Sequence, residues 1–123
     1  KLKSGTGIIL LDACRLPPQR LTSVQKALVP LGLATISAPT QTIIGFSTRP
    51  GRFASDGKGG ISPYTQALIN NIEKYHQNHT IVEILQKVTG AVRAQTDNEQ
   101  VPIFESEISR PFYFTSINQK TTY

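Results

Sequence analysis

The chain has 123 residues, 38% of them hydrophobic, which is enough for one compact domain with a core. Its formal net charge of +5 comes from 13 Lys and Arg scattered along the chain, a solvated basic surface rather than the continuous patch that nucleic acid requires. A single cysteine excludes an internal disulfide and a multi-thiolate metal site; no run approaches the ~18 apolar residues of a membrane span and no secretory signal opens the chain, so a cytoplasmic location is expected.

The first element is Gly7-Ile8-Ile9-Leu10-Leu11, an apolar run that ends in Asp12-Ala13-Cys14-Arg15. Four consecutive large aliphatics fit a fully buried strand of a parallel sheet. Such a strand delivers the residues after it to the carboxyl edge of the sheet, where open α/β folds bind ligands. The chain starts at Lys1 without a methionine and enters this strand almost at once. It therefore reads as a fragment or processed subunit, with an upstream segment completing the sheet. A lone cysteine is more often packed than reactive, but Cys14 stands at a strand end between an acid and a base, which favours reactivity.

Pro17 and Pro18 make a loop of the segment after Cys14. Residues 21–33 carry helical spacing interrupted by Pro30 and Gly32, which fits a short helix or an irregular covering segment. Gln41 to Ser47 is β-branched and apolar, a second strand of the same sheet. It feeds a long glycine-rich loop, residues 48–60, whose embedded Phe53 and Ala54 argue for function over disorder.

Ser62-Pro63 predicts a helix start, a hydroxyl N-cap followed by proline at the first helical position, with an apolar face of Tyr64, Ala67, Leu68 and Ile72 running to about Tyr75. After the polar hinge His76-Gln77-Asn78-His79, the capping box Thr80 to Glu83 opens a second helix that runs to about Ala94. Residues 96–100 form a polar turn and Val101 to Phe104 an extended path, and Arg110 to Thr115 is expected to be the last strand. The folded domain is expected over residues 1–116 and a polar tail over 117–123. Strand, strand, helix, helix, strand describes a three-layer α/β/α domain or half of one.

Leu11-Asp12-Ala13-Cys14-Arg15 resembles the nucleophile segment of caspase-like cysteine peptidases. Phe46 to Asp56 and Ser62 to Leu68 resemble that family's next strand, substrate loop and following helix; Gln100-Val101-Pro102 and Phe112-Tyr113-Phe114 look like the closing segments of its bacterial members. The resemblance covers nearly the whole chain in order. It implies the C-terminal portion of a caspase-like three-layer sandwich, with Cys14 as nucleophile and its backbone amide in the oxyanion hole.

In the family the dyad histidine precedes the cysteine by about 50 residues, and only thirteen residues precede Cys14 here. His76 and His79 match no dyad position and read as exposed turn residues; their i, i+3 spacing is a weak metal signal. The expected partner is thus an upstream large-subunit-like segment that carries the histidine, and a processing site before Lys1 would mean autoprocessing. The alternative is a non-catalytic caspase-like module, a pseudopeptidase with a regulatory or binding role.

Asp12 and Asp56 occupy positions where animal caspases place an anion-binding pair. Two carboxylates there would repel an acidic side chain and hold Arg or Lys by charge-assisted hydrogen bonds, as in the metacaspase and bacterial (orthocaspase) branch. The bland readings are a carboxylate satisfied by local amides for Asp12 and a turn acid for Asp56. The resemblance makes Ala54 and Ser55 the loop residues that pair with an extended substrate. Arg15 reads as part of the nucleophile segment, and Arg49 and Arg52 as solvated loop charges. No cofactor or resident metal is expected, calcium dependence is not written in the pattern, and the expected ligands are proteins or peptides with a basic residue before the scissile bond, not nucleic acid or membrane.

Overall fold

The structure is a computed structural model, and it describes residues 5–13, 40–49, 51–52, 54–55 and 60–115. Strand β1 (Gly7–Leu11) pairs in parallel with β2 (Thr42–Phe46), from Gly7 opposite Thr42 to Leu11 opposite Phe46. Strand β3 (Ile103–Ser106) runs antiparallel on the other side of β2, with Phe46 opposite Ile103 and Ile43 opposite Ser106. The sheet order is β1-β2-β3. Helices α1 (Pro63–Tyr75) and α2 (Ile81–Gln95) lie between β2 and β3 in the chain.

Side chains alternate across a strand, so Ile8, Leu10, Ile43 and Phe104 share the sheet face that packs with Ile81, Leu85 and Leu68 of the helices. Tyr64, Ala67, Ile84, Val88 and Val92 close the seam between α1 and α2. Gly45 is what lets α1 approach. A Cβ there would lie 2.8 Å from the Tyr64 hydroxyl and 2.8 Å from Leu10, closer than packed atoms tolerate. Ile44 and Phe46 point to the opposite face and are buried as well.

Both helix starts follow their sequence signals. The Ser62 hydroxyl accepts from the Thr65 amide at 3.0 Å, with Pro63 leading α1. At α2 the capping box closes in both directions: Thr80 Oγ1 accepts from the Glu83 amide at 3.2 Å, and Glu83 Oε1 accepts from the Thr80 amide at 2.9 Å. The Thr80 amide first, and then the Thr80 hydroxyl, hold the Glu83 carboxyl below its ordinary range. Thr80→Ala should cost about 1 kcal/mol, read as a lower urea midpoint at unchanged slope. A lowered folded-state value contributes stability that is present above the unfolded carboxyl's range and lost as pH falls through the folded one. Glu83→Gln should therefore flatten the acid limb of the midpoint-against-pH curve, and an unchanged limb would contradict the assignment.

Three expectations are corrected. β1 is not fully buried: Ile9 is 43% exposed and its neighbours are half-buried. Among the described residues β1 has one strand partner and forms an edge, so it lacks the second lateral neighbour that a central parallel strand would have. The closing strand is Ile103–Ser106, and Arg110 to Thr115 is irregular. Phe112 has another task there. Its carbonyl accepts from the Ile81 amide at 2.8 Å, satisfying a first-turn donor of α2, while its ring packs into the core and lies edge-on to Phe114.

The hinge histidines are half-buried rather than exposed. His76 Nδ1 lies 2.9 Å from Thr115 Oγ1, and the His79 ring stands edge-on to Tyr75. Among the described residues no three His, Cys, Asp or Glu side chains converge as a metal site would need, and no helix is long and apolar enough to cross a membrane.

Candidate active site

The parallel pairing of β1 and β2 brings their carboxyl ends side by side. The Ser47 amide continues the ladder by donating to the Leu11 carbonyl at 2.9 Å. One step further the backbone partner is replaced by a side chain. Ser47 Oγ accepts from the Ala13 amide at 3.1 Å and donates to the Ala13 carbonyl at 3.2 Å. Both main-chain groups of the residue that precedes Cys14 are thus held by one buried hydroxyl.

Asp12 is exposed between these two fixed points. Its Oδ2 accepts hydrogen bonds from the Ser62 hydroxyl and, at 2.8 Å, from Thr65 Oγ1, both at the start of α1. Two hydroxyls at the start of a distant helix orient this carboxylate. The positive end of the helix dipole favours the charge there as well. Beneath it Tyr64 is buried, and burial first, then the nearby Asp12 charge, push its phenol above the usual tyrosine range. The phenol therefore stays protonated at neutral pH.

On the far side of β2 the loop after the strand is tied down by Gln100. This side chain is only 3% exposed. Its Nε2 donates to the Ser47 carbonyl at 2.8 Å and its Oε1 accepts from the Ser55 amide at 2.9 Å. Gln100 is itself held by Thr96 at the C-terminus of α2, whose Oγ1 accepts from the Gln100 amide at 3.1 Å. Consecutive residues Asp97 and Asn98 adopt positive φ (50° and 64°) to turn the chain back at this point, a conformation that Asp and Asn tolerate. A cleft of about 720 Å³ opens beside the bridge, lined by Arg52, Ala54, Ser55, Glu99 and Gln100 among others.

Of the residues singled out in the sequence, Asp12 is at the exposed strand end, Ala54 is half-buried in the loop, and Ser55 is exposed with its amide engaged by Gln100. Pairing of an extended peptide with Ser55 cannot use that donor without breaking the bond to Gln100. Cys14 and Asp56 lie outside the described residues. Sequence reasoning missed Ser47, Thr65 and Gln100. Ser47, a small polar residue directly after an apolar strand, was the one with a local signal.

The geometry describes a strand end fixed from both sides with an oriented acid at its tip, which leaves open which chemistry it serves. The family comparison decides the class: the model described as the caspase domain of peptidases matches residues 1–113. The chain belongs to the caspase-domain family. A search of curated proteins returns no match. Caspase domains belong to cysteine-type peptidases acting on protein substrates, and Cys14 is the one cysteine of this caspase domain. The mixed sheet with its two helices is part of the α/β caspase-like fold.

Proposed function

We propose that this caspase domain belongs to the bacterial, metacaspase-like (orthocaspase) branch and hydrolyses peptide bonds after Arg or Lys, with Cys14 as nucleophile. The observation that carries this reading is Asp12, an exposed carboxylate two residues before Cys14 that Ser62 and Thr65 fix through one oxygen. A fixed anion at the strand end suits a guanidinium or ammonium and repels a carboxylate. Asp56 is the proposed second acid, and Ala54 and Ser55 the loop segment alongside which the peptide lies.

In the reaction the Cys14 thiolate adds to the carbonyl carbon. The C–N bond then breaks as the leaving amine takes a proton from the histidine, and water hydrolyses the thioester to release the acid and restore the thiol. That histidine is proposed to come from outside this chain. Ser62, which holds Asp12, caps the start of α1, whereas His76 caps its end. The 13 residues of that helix span ~20 Å, too far for a dyad partner near Asp12. The edge position of β1 and the exposed Ile9 suit a further strand on that side, and an upstream large-subunit-like segment would supply both strand and histidine.

The test is turnover of matched peptide reporters by the complete polypeptide. Reporters that end in Arg or Lys should be cleaved and the Asp-ending one should not; preference for Asp overturns the basic pocket. The alternative, a non-catalytic module, gains support from the placement of both histidines in the α1–α2 hinge. It predicts that an Arg-ending electrophilic peptide leaves Cys14 unlabelled.

A further inference from the structure

We infer that Gln100 is a positioning residue for peptide cleavage, setting the substrate loop in register with the strand end that leads to Cys14. The inference rests on the proposed peptidase reading and adds to it a residue from the turn after α2. One buried amide touches both segments. Its Nε2 holds the Ser47 carbonyl at 2.8 Å, its Oε1 holds the Ser55 amide at 2.9 Å, and Ser47 in turn grips both main-chain groups of Ala13.

The bridge uses a donor and an acceptor at opposite ends of one planar group, so it fixes the spacing of the Ser47 carbonyl and the Ser55 amide as well as satisfying them. The two bonds span 53 and 45 residues of chain, so they join segments that sequence proximity does not. Loss of the bridge removes the Gln100 hold on Ser55 while β1 and β2 remain paired through their own ladder. The consequence should fall on recognition of an extended peptide more than on the reactivity of the thiol.

The experiment compares Gln100→Ala and Gln100→Glu with wild type in the complete polypeptide, using an Arg-ending tetrapeptide reporter and iodoacetamide as a small electrophile for Cys14. Gln100→Ala should raise KM about tenfold, the effect of losing one to two net hydrogen bonds, with a much smaller change in kcat and an unchanged rate of alkylation. Gln100→Glu separates the bridge from packing because it keeps the shape. As a neutral acid it donates to Ser47 and accepts from Ser55; ionised, it sets a carboxylate against the Ser47 carbonyl.

Burial raises the pKa of such a carboxyl, and among the described residues Arg52 and Glu99 are the charged side chains that line the adjoining cleft. The KM of Gln100→Glu relative to wild type should therefore approach one as pH falls from about 8 to about 6. This arm carries the test if the alanine variant does not fold. An unchanged KM in both variants, or a parallel fall in kcat, alkylation rate and thermal midpoint without acid rescue, overturns the inference while the peptidase reading stands. A wild type that cleaves no reporter overturns both.

Discussion

Cys14→Ala should abolish peptide hydrolysis, lowering kcat/KM toward an Arg-ending reporter by at least ~10⁴-fold, the scale on which nucleophile-dependent peptidases lose activity. The substitution removes the sulfur that would form the thioester. It leaves in place the bonds from the Ser47 hydroxyl to both main-chain groups of Ala13, which involve no atom that the substitution changes. The inactive variant should therefore still bind a basic peptide, and the informative pair of measurements is turnover lost with competitive peptide binding retained. Undiminished turnover would rule out Cys14 as the nucleophile.

Asp12→Asn should lower kcat/KM for Arg and Lys reporters by roughly 30- to 150-fold, corresponding to the loss of one charge-assisted contact of about 2–3 kcal/mol. Asparagine is the right probe because its carbonyl oxygen can still accept from Ser62 and Thr65, which now meet at Oδ2. The start of α1 also keeps its own cap, the Thr65 amide on Ser62. The charge changes, with shape and local hydrogen bonding kept. A reporter ending in citrulline, a neutral relative of arginine, provides the control. Its kcat/KM should move little, so the Arg-to-citrulline ratio collapses. An unchanged ratio would mean that Asp12 does not face the substrate's cation and that its bonds to Ser62 and Thr65 are its whole role.

These two predictions draw on different parts of what the sequence contains. Cys14 and Asp12 stand out because a charge pair and a lone thiol interrupt an apolar run at a strand end, and a break of that kind is local. The helices were equally legible. Ser62-Pro63 and the Thr80 to Glu83 box are chemical solutions to unsatisfied amides, and they work at those positions whatever the rest of the chain does. The strand Thr42–Phe46 came from its β-branched run in the same way.

The closing strand was not legible, because two apolar segments competed for it. Phe112-Tyr113-Phe114 has the stronger intrinsic preference for extended structure, yet Ile103–Ser106 holds the edge of β2. The positive-φ turn at Asp97 and Asn98 reverses the chain after α2, and the next apolar segment pairs with β2. Phe112 is left to cap and pack α2. The exposure of Ile9 has the same origin: an apolar run states that a strand can be buried, not how many neighbours it has.

By itself, then, the sequence determined the elements that rest on local chemistry: two helices with their caps, two parallel strands, and a strand end carrying Asp12, Ala13 and Cys14. Only the tertiary structure decided which segment closes the sheet and what fixes that strand end. Ser47, Thr65 and Gln100 act on residues 34 to 53 positions away, and a hydrogen bond across that distance leaves no periodicity or spacing in the chain because it depends on where the fold places both partners.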